Sequence, residues 1–484
     1  MRRHADPGSS RRPLSSPTLA ATLAATLAMM VSACGGEPTR ADLVIENVTV
    51  IDARNGVRPG RTVAVRDDEI VSVEESGAPS DAVRVIDGSG RYLIPGLWDM
   101  HVHLTYDEAL TSAMPALFLR WGVTNVRDTG GLLDELLPVV ETMRAEGAAA
   151  PRVFFAGPLL DGERVVYDGQ GRPEIGMSNS TVEDARANVA ALAEAGADFI
   201  KIYELVSPQV FDALVTAAGE HGLPVAAHVP LSMRARSVAP RVRSMEHVRN
   251  VELDCAAEPE RLLQTRREEL AGGGAEAGAD LRARLHALQR LPAIAAYDAD
   301  ECDQVLSTMG STIQVPTLRL NSFALRPPFA RDDWYQALAA APPAIAESWR
   351  AAGEAWRDAP VEQDTTFAAW SLRLVGWMDE RGVPVGAGTD TPINYALPGY
   401  ALHSELEMLV RAGLTPLEAL GAATLRAAEF FDLESEMGAV EPGMRADLVL
   451  LAADPLDDIS NTRRIEAVVF QGRLLDSSVE APPR

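Results

Sequence analysis

Short apolar runs of strand length occupy residues 43–51, 61–65, 70–73 and 83–86, separated by Asn-Gly, Pro-Gly and Asp-Gly turns. The same texture returns at 447–451 and 467–470. Pieces this short cannot each bury an apolar face alone, so the two chain ends are expected to combine in one small β-sandwich domain. Between them, apolar strands at 98–104, 123–127, 152–156, 199–203, 224–228, 241–248, 312–316 and 383–390 alternate with alanine-rich helical segments. That alternation predicts an α/β fold of the (β/α)8 TIM-barrel type. A helix is expected over 181–195, capped by Ser180 and stopped near Gly196, and another over 209–220 before His221-Gly222. The intervals 253–310 and 319–381 exceed simple connections and read as helical excursions. Five of the seven tryptophans fall in the second, at 334, 349, 356, 370 and 377. Packing a helical subdomain is their commoner use; covering a site at the barrel mouth is the other. The division is then 1–33 as an export signal, 34–40 as a linker, 41–95 and 431–484 as the two parts of the β domain, and 96–430 as the barrel.

The amino end adds a location. Four arginines and one aspartate accompany an apolar run, residues 19–31, that is too short to span a bilayer comfortably. The run ends in Val31-Ser32-Ala33-Cys34-Gly35, which resembles a bacterial lipoprotein lipobox with Cys34 as the lipidated residue. An ordinary signal peptide cleaved near Ala33 and an uncleaved anchor are the alternatives. The expectation is an exported protein held in the cell envelope by a lipid at Cys34, its sole membrane contact. Removing residues 1–33 takes the formal charge from −25 to about −28. Such a surface repels nucleic acid and leaves fold undecided. Cys255 and Cys302 remain for a structural role, and the sequence does not decide whether they pair. Oligomeric state is equally open, a homo-oligomer included.

The chemistry centres on Lys201, the single lysine in a chain with 44 basic residues. A buried primary amine can lose its proton and react, which a guanidinium does not do. His101 and His103, two apart in a strand, leave one face together with Asp99. His228, His247 and Asp390 stand at or near the carboxyl ends of later strands. In a βα barrel those ends converge on one mouth, where imidazole and carboxylate groups can share a metal ion. His4, His221 and His286 read as structural or surface residues.

The run Leu93-Ile94-Pro95-Gly96-Leu97-Trp98-Asp99-Met100-His101-Val102-His103 resembles the opening motif of the amidohydrolase superfamily. Lys201, His228, His247, Gly388-Thr389-Asp390 and Ala446-Asp447-Leu448-Val449 extend the likeness across nearly the whole chain after the signal. It is most similar to the imidazolonepropionase-like branch, which also holds metal-dependent prolidases. The resemblance implies two divalent ions, zinc being the first choice, with His101, His103 and Asp390 on the more buried one and His228 and His247 on the other. It further implies that Lys201 bridges them as a carbamate formed with carbon dioxide. The expected reaction is hydrolysis of an amide bond in a small substrate by metal-activated hydroxide, with Asp390 passing the proton from water to the leaving nitrogen.

A dipeptide such as Xaa-Pro is the first choice of substrate. Hydrolysis of a cyclic amide or lactam, or of a lactone or ester, is the enzymatic alternative, and a non-catalytic envelope lipoprotein is the other. Substrate contacts are assigned to Tyr203, His403, Arg127 and Arg319. A packed tyrosine, an outer partner of the metal site and two structural ion pairs, respectively, are the competing uses.

Overall fold

The computed structural model describes residues 40–75, 82–360 and 363–475. The export signal, Cys34 and the linker up to residue 39 lie outside these residues. Five strands open the fold: β1 (Ala41–Asp52), β2 (Gly56–Arg66), β3 (Glu69–Glu75), β4 (Ala82–Asp87) and β5 (Tyr92–Pro95). Then come β6 (Leu97–Val102), β7 (Val123–Asp128), β8 (Arg152–Phe155), β9 (Leu159–Asp161), β10 (Gly176–Ser178), β11 (Ile200–Ile202), β12 (Val225–Ala227), β13 (Ser244–Glu246) and β14 (Ile313–Val315). The last three are β15 (Leu448–Leu451), β16 (Ile465–Phe470) and β17 (Arg473–Leu474).

The two chain ends meet in one hydrogen-bonded sheet of eight strands, ordered β17-β16-β15-β5-β1-β2-β3 with β4 beside β1. Antiparallel pairing of β15 with β5 makes the join, Val449 facing Ile94. The apolar residues of both ends pack together, Ile45, Val50, Val63 and Leu93 against Leu448, Leu450 and Val469. The pairing therefore runs through a single sheet and not through the two sheets of the expected sandwich.

The middle of the chain forms two parallel sheets, β6-β7-β8 and β10-β9-β11-β12-β13-β14. Backbone contacts continue between them: Asp198 N donates to Phe155 O at 2.9 Å. Residues 383–390, expected as a strand, form one isolated bridge, Val385 with Gln314, yet they lie between β14 and β6. Gly386 N donates to Gln314 O at 2.8 Å, Met100 N to Ala387 O at 2.9 Å and Asp390 N to His101 O at 2.7 Å. Gly388 permits this approach, because a Cβ there would stand 2.7 Å from His101 Cβ. β9 and β10 were not expected; both are three residues long.

Helices cover the parallel strands. The helix Val182–Glu194 is capped by Thr181 and not by the expected Ser180, because Asp184 at its third position closes a capping box on Thr181. Pro208–Glu220 follows an N-cap at Ser207. The first excursion folds as Pro259–Gly272, Gly278–Ala295 and Ala299–Leu306, with a disulfide joining Cys255 to Cys302. The second contains Asp332–Ala337, Pro343–Asp358 and Thr366–Glu380. Its Trp334 and Trp349 stack at 6.5 Å and its Trp370 meets Trp377 edge-on at 5.7 Å. These tryptophans pack helices.

Phe199 and Ala226 join Trp98, Met100, Ile313 and Val315 in an apolar layer. Lys201 and His228 stand two residues further along the same strands, so period-2 alternation puts them on the same faces, towards the strands' carboxyl ends.

Candidate metal centre

β6 delivers His101 and the turn after it delivers His103. Their Nε2 atoms lie 3.3 and 3.2 Å from Asp390 Oδ1, and the three side chains form the ligand-type cluster found among the described residues. The His247 ring is 4.6 Å from that of His101 and 4.6 Å from that of His228. Lys201 is fully buried, 3.9 Å from Glu246 Oε2, and its Nζ has no hydrogen-bond partner. The six expected ligand residues are therefore brought to one place.

Each imidazole is held by its Nδ1. His101 Nδ1 meets Glu246 Oε2 at 2.7 Å, His103 Nδ1 meets Gly130 O at 3.0 Å, His228 Nδ1 meets Glu204 Oε1 at 2.8 Å and His247 Nδ1 meets Thr317 Oγ1 at 2.6 Å. For His101, His103 and His228 the partner is a carboxylate or carbonyl, so Nδ1–H donates and Nε2 keeps its lone pair, the form a metal binds; the Thr317 hydroxyl orients the His247 ring. Burial holds the His228 imidazolium down to about 3, against the pull of Glu204, and His247 well below its usual range. Both rings are thus neutral near pH 7. Burial pushes the Asp390 carboxyl up, but the neighbouring His247, His101 and His103 outweigh it and hold the group well below the usual carboxylate range. Burial also draws the Lys201 amine down to about 8, opposed by Glu246 and aided by Arg127. The neutral His228 and His247 rings, the His101 and His103 rings against the ionised Asp390, and a Lys201 amine of lowered basicity with no hydrogen-bond partner form a donor set that suits divalent cations.

Backbone strain is concentrated here. His247 has φ 65°, Thr317 φ 46° and Asp390 φ 61°, a left-handed region disfavoured by side chains other than glycine.

The supporting acids escaped the sequence analysis. Glu246 accepts from Arg127 Nη2 at 2.8 Å and from Ser244 Oγ at 2.6 Å while holding His101. Glu204 accepts from Arg282 Nη2 at 2.8 Å and lies 2.6 Å from His286 Nε2 while holding His228. His286, taken as structural or surface, is buried and contributes to this support. Adjacency of Glu204 to Tyr203 and of Glu246 to His247 was the available signal. Asp99 accepts from Thr389 Oγ1 at 2.6 Å, tying β6 to the Asp390 segment, and burial raises its carboxyl to about 7. Glu204→Gln and Glu246→Gln are each expected to weaken metal retention about 10- to 100-fold, measured by competition with a chromogenic chelator.

Three of the four expected substrate contacts require correction. Arg127 is completely buried and spends its guanidinium on Met100 O, Ser244 and Glu246. Arg319 gives its guanidinium to the carbonyls of Thr389, Ile393 and Asn394. His403 meets Thr462 Oγ1 at 2.9 Å and Trp121 O at 3.0 Å, away from the cluster, so both ring nitrogens are occupied. Tyr203 does reach the site: its ring centroid is 4.4 Å from that of His228.

Comparison with known proteins places this geometry. Residues 372–475 match the Amidohydrolase family. An imidazolonepropionase of Symbiobacterium thermophilum is 28% identical over 439 residues, covering 87% of this chain and 89% of that protein. The chain is a hydrolytic enzyme, similar to amidohydrolases. Its fold is similar to that of a Xaa-Pro dipeptidase with methionine bound in the active site, at 20% identity and TM-score 0.63, over 90% of this chain and 99% of the other. A bottromycin amidohydrolase gives 25% identity and TM-score 0.65 over 90% and 87%.

Proposed function

We propose that this amidohydrolase uses two divalent metal ions, zinc first among them, to hydrolyse an amide bond in a small substrate, a dipeptide such as Xaa-Pro being the first choice. The observation that carries the reading is the four imidazoles whose Nδ1 atoms are all tied back, aiming Nε2 into the space shared with Asp390 and the unpartnered Lys201 amine. The parallel strands and the 383–390 segment would form a closed (β/α)8 barrel around it. His101, His103 and Asp390 would hold one ion, His228 and His247 the other, and Lys201, as a carbamate with carbon dioxide, both. Bound ions would acidify water and polarise the scissile carbonyl. Asp390, ionised and held by two histidines, would take a proton from the attacking water at its carboxylate and pass it to the leaving nitrogen. Glu204 and Glu246 would keep the rings in register throughout.

Assays against dipeptide, lactam and lactone panels test the substrate class; no turnover of any dipeptide removes the first choice. The lowered basicity of Lys201 has a further consequence. Only the neutral amine adds carbon dioxide, and that fraction grows about tenfold per pH unit below 8 and saturates above it. Reactivation of metal-stripped protein by zinc at fixed dissolved carbon dioxide is therefore expected to accelerate from pH 6 to 8 and then level off, followed by recovered turnover.

The envelope location rests on the Val31–Gly35 motif. Palmitate labelling in a bacterial host, lost in Cys34→Ala, would support it, and no labelling of the wild type would remove it.

A further inference from the structure

We propose that Arg249 anchors a carboxylate of the substrate in a cleft beside the candidate metal centre. The inference rests on the peptide-hydrolase reading and adds to it which end of the substrate is recognised and by what. The cleft has a volume of about 550 Å³ and is lined by Arg249, Arg282, His286, Arg290, Leu291 and Phe367, with Asp364 also on its wall. Three guanidiniums around one opening run against the grain of a chain with formal charge −25.

Two of the three are committed. Arg282 donates to Glu204 and lies 5.6 Å from the Tyr203 ring, so the cleft backs onto the wall that carries His228. Arg290 leans on Glu252 at 3.6 Å and stacks over Phe367 at 4.1 Å. Arg249 is different. Among the described residues no acidic group lies within ion-pair distance of it, and its Nε is buried without a hydrogen-bond partner. A partly buried cation left unpaired in a cleft is an acceptor site for an anion.

The backbone is fixed on both sides of Arg249. His247, Val248 and Asn250 have φ of 65°, 48° and 67°, and a β-branched valine enters this region at a steric cost. The turn is pinned by Asn321 Nδ2 on His247 O at 2.7 Å, Asn250 Nδ2 on Val229 O at 2.9 Å and Arg266 Nη1 on Asn250 Oδ1 at 3.1 Å. The guanidinium thus leaves a rigid turn two residues beyond His247. Beside it, Leu291 and Phe367 offer apolar surface. The chemistry matches a short peptide with a free terminal carboxylate and an apolar or prolyl side chain.

The test compares hydrolysis of a free Xaa-Pro dipeptide with that of its terminal amide by zinc-loaded wild type, Arg249→Gln and Arg249→Lys, with metal content measured in each. The wild type is expected to prefer the free acid. Arg249→Gln should raise KM for the acid about 10- to 100-fold, change kcat far less and collapse the preference. Arg249→Lys should recover part of it, keeping the charge but not the fork. Equal kcat/KM for acid and amide in the wild type overturns the anchor while leaving the peptide-hydrolase reading intact, as does a preference that survives in Arg249→Gln. Turnover of neither dipeptide form overturns that reading and the anchor with it. Should Arg249→Gln fail to fold, the wild-type comparison decides alone.

Discussion

Lys201→Arg is expected to lower kcat/KM by roughly a thousandfold or more, because in the proposed centre several kcal/mol of transition-state charge stabilisation would depend on the paired ions. Burial is the reason the substitution is so costly. Lys201 is completely buried, with Glu246 3.9 Å from its Nζ and the Arg127 guanidinium already bound to the same acid. Arginine would bring a second permanent cation into that space and could not form a carbamate. Steady-state assays together with metal analysis check the expectation: turnover and metal content should fall together. Normal turnover in the arginine variant would remove the bridging role.

Asp390→Asn is the second large effect, with kcat expected to fall about 10²- to 10⁴-fold, the usual span for a lost general acid–base group. The carboxylate stands 3.3 and 3.2 Å from two imidazole nitrogens, and its left-handed backbone fixes where it points. An amide of the same shape keeps one oxygen as a potential ligand but cannot carry the proton. Pre-steady-state kinetics on metal-loaded protein separate the two losses: the chemical step should slow much more than substrate binding weakens. An unchanged chemical step would leave Asp390 with a ligand role alone.

How much of this was readable in the chain differs by element. Seven of the eight strand positions in the middle region fold as strands, because apolar runs between helical segments have no other way to bury themselves. The eighth, 383–390, lies where a strand was expected but holds only the single bridge at Val385. Gly388 brings it against His101, and the left-handed Asp390 turns it out of a regular ladder. The ligand-type residues were legible because His101-Val102-His103 and Gly388-Thr389-Asp390 are compact motifs. Their supports were not. Glu204 and Glu246 are two of 69 acidic residues, and the partners that give them meaning are contributed by other strands or by the helix Gly278–Ala295. His286 illustrates the same limit: on a helix rich in arginine it looks solvated, and only the folding of that helix against Glu204 buries it. Arg127, Arg319 and His403 failed in the opposite sense. Strand ends and a helix start suggested exposed donors, whereas packing turned each inward onto carbonyls, Glu246 or Thr462.

The central claim is a pair of cations joined through Lys201. A crystal structure of the zinc-loaded protein, with anomalous differences collected at the zinc edge, tests it most directly. The account predicts two peaks, one beside His101, His103 and Asp390 and the other beside His228 and His247, with density for a carbamate continuous from Lys201 Nζ between them. A single peak with an unmodified Lys201 amine pointing away from it would contradict the account.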